Sequence, residues 1–321
     1  MSNPALKGKV AVIGAGAKNL GGLLSREFAK GGAKIVVHYN SDATKPNADD
    51  TVKAIRDVGG DAYAVQGDLT KPANVTALFK SAKDRFGGVD IAVNAVGKVL
   101  RKPIVDTTEA EYDSMFDINA KAAYFFIKEA GKHLNDNGKI ITIVTSLLAA
   151  FTDGYSTYAG GKAPVEHFTR AAAKEFGPRG ISVTAVGPGP MDTPFFYGQE
   201  TPERVAYHKS QGMGGQLTRI EDIVPIVRCL ATEGWWVTGQ TIFANGGGTT
   251  PGLYRGGKPK NPVLEQRAGG PPHTVGGGRG VFGGLGPPLT TGPTGLPFLT
   301  AVRATSLVES SSARSSTRSS L

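Results

Sequence analysis

KVAVIGAGAKNLGG, residues 9–22, decides the fold of this 321-residue chain. Lys9 to Ile13 is a short apolar run without polar alternation, the pattern of a strand buried on both faces of a parallel sheet. Glycines at 14, 16, 21 and 22 follow at once, and Leu20, Leu23, Leu24 and Phe28 then recur at helical spacing. Strand, glycine-rich turn and helix together make a phosphate cradle: the backbone approaches closely, and the helix N-terminus offers free amides and a positive dipole end. A glycine cluster elsewhere would say little. This one closes a first strand.

The same alternation runs on along the chain. Ile35–Val37 reads as a second strand, then a helix to about Val58, a strand Ala62–Gln66 and a helix to Phe86. Val89–Val93, a helix from about Glu109 to Asn135, a strand Ile140–Val144, a helix Tyr155–Phe176, Ile181–Val186, a helix Glu221–Ala231 and Thr241–Phe243 complete it. Strands that alternate with helices must pair in parallel and carry helices on both faces. The expectation is therefore an α/β chain with one doubly wound, mostly parallel sheet over residues 1–248. Ligands of such sheets bind beyond the carboxyl ends of the strands.

The second strand bears on the cofactor. It ends His38-Tyr39-Asn40-Ser41, with Lys45 behind it and Lys18 in the glycine turn. An NAD site usually has an Asp or Glu there for the ribose hydroxyls. No acid stands at this strand end and Asp42 lies past it, so a 2′-phosphate, and with it NADP(H), is favoured.

TSLLAAFTDGYSTYAGGK, residues 145–162, holds the expected chemistry. Tyr158 and Lys162 are four apart, one turn along a helix face. An ammonium there would stabilise the phenolate and let the phenol pass a proton nearer neutral pH. A hydroxyl at the preceding strand end, Thr145 or Ser146, would hold a carbonyl oxygen. By itself a Tyr/Lys pair of this spacing is usually plain helix surface.

Composition narrows the function classes. The net charge of +9 resolves into +3 for the first 248 residues and +6 for the rest, which hold eight Lys/Arg and two Asp/Glu. A near-neutral body with no basic stripe argues against nucleic acid as a partner. One cysteine, Cys229, excludes an internal disulfide, and its apolar setting VRCLA predicts a buried thiol. No apolar leader opens the chain and no run suits a membrane span, so a cytoplasmic location away from membranes is expected. No metal-ligand pattern appears. Residues 249–321 hold 14 Gly and 9 Pro and end SSSARSSTRSSL, a composition expected to stay disordered.

In order, the glycine turn, Asp68-Leu69, Asn94-Ala95-Val96-Gly97, a helical Asn119, a hydroxyl, Tyr158-x-x-x-Lys162 and Pro188-Gly189-x-Met191-x-Thr193 resemble the short-chain dehydrogenases/reductases. The nearest subgroup is the NADP-dependent 3-oxoacyl reductase-like enzymes, the fungal ones in particular, and the resemblance spans about Leu6 to Gly248. It implies a Rossmann-type sheet and a small-molecule carbonyl substrate. It implies that Tyr158 is the general acid/base, that Lys162 lowers its pKa and bonds the nicotinamide ribose, and that Asn119 holds a relay water. Gly14, Gly16, Asn19 and Leu20 would meet the pyrophosphate, Asn40 and Ser41 the 2′-phosphate end, and Asp68 and Leu69 the adenine. Asn94 and Gly97 would line the cofactor; Gly189, Met191 and Thr193 would hold its carboxamide.

Two registers stay open. The family's turn glycines fall on Ala15 and Asn19, unless the turn is shifted to use Gly14 and Gly16. Ungapped counting puts the catalytic hydroxyl on Thr145, whereas the family's preference for serine favours Ser146. Gly160, Gly161 and Pro164 are poor helix residues just after Tyr158. Reduction of a ketone (β-ketoacyl or polyketide-like) is the expected activity; oxidation of an alcohol or polyol, and cofactor binding without turnover, are the alternatives. The segment Phe195–Gln216 should form the substrate lid, with Phe195, Phe196, Tyr197 and Tyr207 toward an apolar ligand. Apolar residues beyond the core stripe, Ala122, Ala123, Phe125, Phe126 and Phe168, predict a homo-oligomer, a dimer or tetramer, built on two of the helices.

Overall fold

The computed structural model describes residues 4–150 and 152–248. The disordered tail expected from residue 249 lies outside the described residues. Strand β1 (Val10–Gly14) leads to helix α1 (Asn19–Lys30), β2 (Lys34–Tyr39), α2 (Lys45–Asp57), β3 (Ala62–Gln66), α3 (Pro72–Phe86) and β4 (Val89–Asn94). Then come α4 (Glu109–Phe116), a π-helical turn Asp117–Lys121, α5 (Ala122–His133), β5 (Leu134–Ile143), α6 (Ser156–Phe176) and β6 (Ser182–Pro188). Two lid helices, α7 (Pro194–Tyr197) and α8 (Pro202–Gln211), precede α9 (Ile220–Ala231) and β7 (Thr241–Ala244).

All six strand pairings are parallel, in the order β3-β2-β1-β4-β5-β6-β7. The chain winds outward from β1 to β3, then returns to start the other half at β4. β1 and β4 therefore flank the switch point, where a crevice opens beyond their carboxyl ends.

Period-two alternation divides the core into two layers. Ala11, Ile13, Ile35, Val37, Ile91 and Val93 pack with Leu24, Phe28, Ile55 and Val227 from α1, α2 and α9. Their neighbours Val12, Val36, Ala92 and Ile140 face the other way, onto Leu78, Phe79, Phe126 and Ala172 from α3, α5 and α6. Phe79 and Phe126 meet edge to face with ring centroids 5.1 Å apart. Each such fully buried aromatic contributes on the order of 2–3 kcal/mol by burial alone.

Three departures from the expected elements have local causes. The helix expected from Glu109 to Asn135 is interrupted at 117–121, where the ladder widens to a π turn around Asn119, and it ends at His133. Strand β2 runs two residues past Val37, because His38 and Tyr39 pair with Val65 and Gln66, and it starts one residue earlier, at Lys34. Helix α6 continues through Pro164. Gly161 eases the packing there: a Cβ would stand 3.2 Å from both Asn119 Cβ and the Met115 carbonyl oxygen, and α6 or the π turn would have to give by a few tenths of an ångström.

Cys229, expected to be buried, is exposed on α9. The face of α9 that enters the core carries Ile223, Val224, Val227 and Leu230 instead. Among the described residues no helix is long and apolar enough to cross a membrane.

Candidate active site

The turn after β1 resolves the first open register. Ala15 and Asn19 have φ of 55° and 49°, in the left-handed region that favours glycine. These are the positions where the family places its turn glycines, so the unshifted register is the one the backbone follows. Gly14 and Gly16 serve by size: a Cβ on Gly16 would stand 2.7 Å from the Ile13 carbonyl oxygen, and one on Gly14 3.2 Å from Asn94 Oδ1. Gly21 admits the turn itself, since its Cβ would lie 2.1 Å from the Ala15 carbonyl oxygen.

Left-handed alanine costs about 1–2 kcal/mol, and His38 offsets part of it. Its Nδ1 accepts from the Ala15 amide at 3.0 Å, and Nε2 donates to the Gly67 carbonyl at 2.7 Å. That pairing requires the neutral Nε2–H tautomer. Burial, opposed by the bond to Gly67 and the charge of Asp68, lowers its pKa to about 4. His38 thus ties the glycine turn, β2 and the loop after β3 together. Sequence reading named it only as part of a strand end.

Two connected clefts cover the carboxyl edge of the sheet beside the switch point. The first is lined by Ala15, Lys18, His38, Asn40, Thr44, Asp68, Leu69 and Gly97. Asn40 is its exposed floor beyond β2, and Asp42, the acid just past the strand end, accepts from Gln66 Nε2 at 3.2 Å. Ser41 does not line this cleft; it closes the turn before α2 with Thr44. Lys45 is drawn away as well, into a 2.6 Å pair with Asp49. Lys18 remains a cation lining this cleft, with Lys98 on its other wall. Asp68 accepts from the Thr70 amide at 3.0 Å and its hydroxyl at 2.8 Å, which shapes the entry to α3.

The second cleft continues over Asn19, Leu20 and Gly21 to Lys162, Tyr158, Met191 and Thr193. No side chain caps α1, so its first amides are free for an anion. Thr193 Oγ1 is buried without a hydrogen-bond partner at the cleft wall. Gly189 admits a close crossing there, since a Cβ would meet Thr218 Oγ1 at 2.7 Å. Asn94 stays behind the surface, its Oδ1 accepting from the Val96 amide at 3.0 Å.

A third cavity, under the lid, shares Tyr158, Val144, Met191, Thr193 and Phe195 with the second. Tyr158 stands where they join. Thr145, one of the two hydroxyls weighed from the sequence, is the side chain whose hydrogen bond pulls the Tyr158 phenol down. Thr145 Oγ1 accepts from the Leu147 amide at 3.3 Å, which leaves its one proton for Tyr158. The reason is the loop path: Thr145 ends the extended strand geometry, while Ser146 already begins a 3-10 turn. Ser146 is buried in the same cavity wall.

Lys162 is held by the main chain beside Tyr158. Its Nζ donates to the carbonyls of Val96 and Ile143, each at 3.0 Å, and burial lowers its pKa to about 8. Burial pushes the Tyr158 phenol up to about 12, and its hydrogen bond with Thr145 pulls the other way. Lys162 keeps one of three donors uncommitted by these bonds. Asn119 is also committed: Nδ2 donates to the carbonyls of Lys98 at 2.9 Å and Met115 at 3.0 Å, and Oδ1 accepts from the Lys98 amide at 3.2 Å. Gly97 lies between, where a Cβ would fall 3.0 Å from Asn119 Oδ1 and 3.1 Å from Lys162 Nζ.

Of the four lid aromatics, Phe195 and Phe196 line the cavity. Tyr197 instead donates to Asp192 at 2.8 Å, and Tyr207 is exposed. Tyr155, Glu200 and His208 line the cavity as well. Sequence reading missed them; the one available signal was that Tyr155 lies three residues, one helical turn, before Tyr158.

The profile of the family described as Enoyl-(Acyl carrier protein) reductase matches residues 14–249. The chain belongs to the short-chain dehydrogenase/reductase family of oxidoreductases. It is 36% identical over 261 residues to the hydroxynaphthalene reductase-like protein Arp2 of Metarhizium brunneum, covering 76% of this chain and 96% of that one. With the NADPH-dependent aldehyde reductase-like chloroplastic protein of Arabidopsis thaliana it shares 33% over 257 residues, 75% of this chain and 94% of the relative. Among solved structures, a putative dehydrogenase from Burkholderia cenocepacia with bound NADP is 58% identical, with a TM-score of 0.75 over 78% of this chain and 97% of that one. A blue fluorescent protein from a metagenomic library, in complex with NADPH, is 31% identical with a TM-score of 0.72, over 76% and 98% of the two chains.

Proposed function

We propose that the chain is an NADPH-dependent reductase of a ketone, β-ketoacyl or polyketide-like in body. The observation that carries this reading is the position of Tyr158, backed by Thr145, at the junction of a phosphate-cradling cleft and an apolar lid cavity. The cleft suits a dinucleotide: uncapped α1 amides for the pyrophosphate, an unpartnered Thr193 hydroxyl for the carboxamide, and Lys18 with Asn40 rather than an acid for a 2′-phosphate. When bound, the nicotinamide supplies a hydride to the carbonyl carbon.

The protein's own residues handle the proton. The carbonyl oxygen sits against the Tyr158 phenol, whose O–H bond breaks as the new alcohol O–H bond forms. Thr145 donates to the phenolate that remains. The Lys162 ammonium stabilises that phenolate by its positive charge, with no proton leaving it. Gly97 keeps that corner tight enough for Lys162 and Asn119 to share it. Helices α5 and α6 leave Tyr124, Phe125 and Phe168 in edge-to-face contact at their outer surface, with Tyr124 half exposed. They support the dimer or tetramer expected from the sequence, although Ala122, Ala123 and Phe126 belong to the core. NADPH consumption measured over a panel of ketones, β-keto thioesters and polyketide-like quinones tests the reading; no carbonyl-dependent consumption with any of them would reject it.

A further inference from the structure

We propose that Tyr155 and Glu200 form a second recognition point in the substrate cavity, one that accepts a hydrogen bond from a hydroxyl group on the body of a neutral ketone. The proposal rests on the ketone-reductase reading above and narrows its substrate class. Most of the cavity wall under the lid is apolar, with Val99, Leu147, Phe195 and Phe196 facing in. Against that background a buried carboxylate is costly and persists only where partners compensate it.

Glu200 has such partners, and its side chain is wholly buried. Tyr155 Oη donates to Oε1, which His208 Nε2 also meets at 3.2 Å. Arg204 Nε donates to Oε2 at 2.9 Å, and Arg101 Nε lies 3.9 Å from the same oxygen. Both guanidinium groups continue to Asp153, at 3.0 Å from Arg204 and 3.1 Å from Arg101. Two acids and two arginines cancel. Burial lowers the His208 pKa, which leaves that ring neutral near pH 7. The wall is therefore polar without net charge.

The committed protons decide what it can read. A phenol has one proton, and that of Tyr155 is given to Glu200, so its oxygen offers only lone pairs. Gln199 commits its Oε1 to the Arg101 amide at 2.9 Å and one of its two Nε2 protons to the Gly198 carbonyl at 3.2 Å. A substrate group placed against the Tyr155 oxygen must donate. A hydroxyl can; an ether cannot, and a carboxylate would face Glu200 with like charge. The rings of Tyr155 and Tyr158 stand edge to face with centroids 6.3 Å apart. Tyr155, Glu200 and Tyr158 all line this one cavity. A flat hydroxy-ketone held between its apolar walls presents its carbonyl to Tyr158 and its hydroxyl to Tyr155.

The test compares 1-tetralone, its 5-, 6- and 7-hydroxy derivatives and the matching methoxy ethers as substrates, with NADPH saturating. At least one hydroxy isomer should exceed both its methoxy ether and 1-tetralone in kcat/KM by about tenfold or more, because the ether strands the Tyr155 oxygen. Tyr155→Phe should bring that ratio to within about threefold of unity, and NADPH binding followed by fluorescence reports that the variant is folded. Equal turnover of all members by the wild type, or an unchanged ratio in Tyr155→Phe, would overturn the inference while leaving ketone reduction intact. Reduction of other ketones but none of these would also overturn it. Failure of every carbonyl would instead reject the underlying reading.

Discussion

Replacing Thr145 with valine removes a hydroxyl and keeps the branched shape. Two bonds go: one accepted from the Leu147 amide at 3.3 Å, which is long and partly exposed to replacement by solvent, and one given to Tyr158. The second is the consequential one. It is strongest when Tyr158 is a phenolate, as it becomes in the reduction, and a hydrogen bond to a charged group is worth about 1.5–3 kcal/mol. At about 1.36 kcal/mol per factor of ten, kcat should fall roughly 10- to 150-fold. The loss belongs to the charged form, so kcat and kcat/KM should fall together. Ser146→Ala, made beside it, should stay within about threefold of the wild type. The assay is steady-state NADPH consumption with the best ketone of the panel, run from pH 6 to 9. A larger loss in Ser146→Ala than in Thr145→Val would show that the hydroxyl geometry is misread, and equal small losses would show that neither hydroxyl bears on the proton transfer.

Three further outcomes follow from the same structure. His38 titrates near 6.5 unfolded and about 4 folded, so the unfolded chain binds the extra proton between those values. Stability is then full above pH 6.5 and drains as pH falls toward 4, by about 3 kcal/mol at most, at about 1.36 kcal/mol per pH unit. Urea unfolding at pH 7.5 and 5 should show the drop in the wild type and a shallower one in His38→Gln; equal drops would remove His38 from the account. Asn40→Asp should lower kcat/KM for NADPH by about tenfold or more through repulsion of a 2′-phosphate, with NADH less affected. A wild type that already prefers NADH would contradict the reading of the β2 end. Sedimentation at micromolar concentration should show dimers or tetramers, and Tyr124→Glu should weaken them; a monomeric wild type would refute the role given to the α5–α6 face.

The sheet was readable because buried parallel strands are continuous apolar runs between punctuating glycines. Ala62–Gln66 and the start of β4 at Val89 are found where periodicity put them. Ordered motifs likewise brought Asn19, Leu20, Gly97, Tyr158, Lys162, Met191 and Thr193 to the second cleft, while Gly14 and Gly16 line neither cleft and serve the packing behind the turn. What stayed hidden depends on where a short loop turns or which of several partners a polar head takes. Thr145 and Ser146 differ by one position in the chain, and only the path into the 3-10 turn separates their hydroxyls. Lys45 and Lys18 look alike as charges, yet an aspartate four residues along the same helix withdraws the first. Spacing showed that Lys162 is one turn from Tyr158, but not that two main-chain carbonyls claim its ammonium. Asn119 was placed on a helix without a sign of the π turn that carries it. Tyr155 and Glu200 are 45 residues apart, and their pairing exists only once the lid folds back.

The claim on which the rest depends is that Tyr158 gives the proton to the carbonyl oxygen. Tyr158→Phe keeps the ring at the junction of the clefts and removes the proton. With NADPH saturating and the best ketone of the panel, kcat should fall roughly 10²–10⁴-fold, the usual worth of a positioned general acid, while the NADPH dissociation constant measured by fluorescence stays within about twofold. Turnover at the wild-type rate in Tyr158→Phe would contradict the account at its centre.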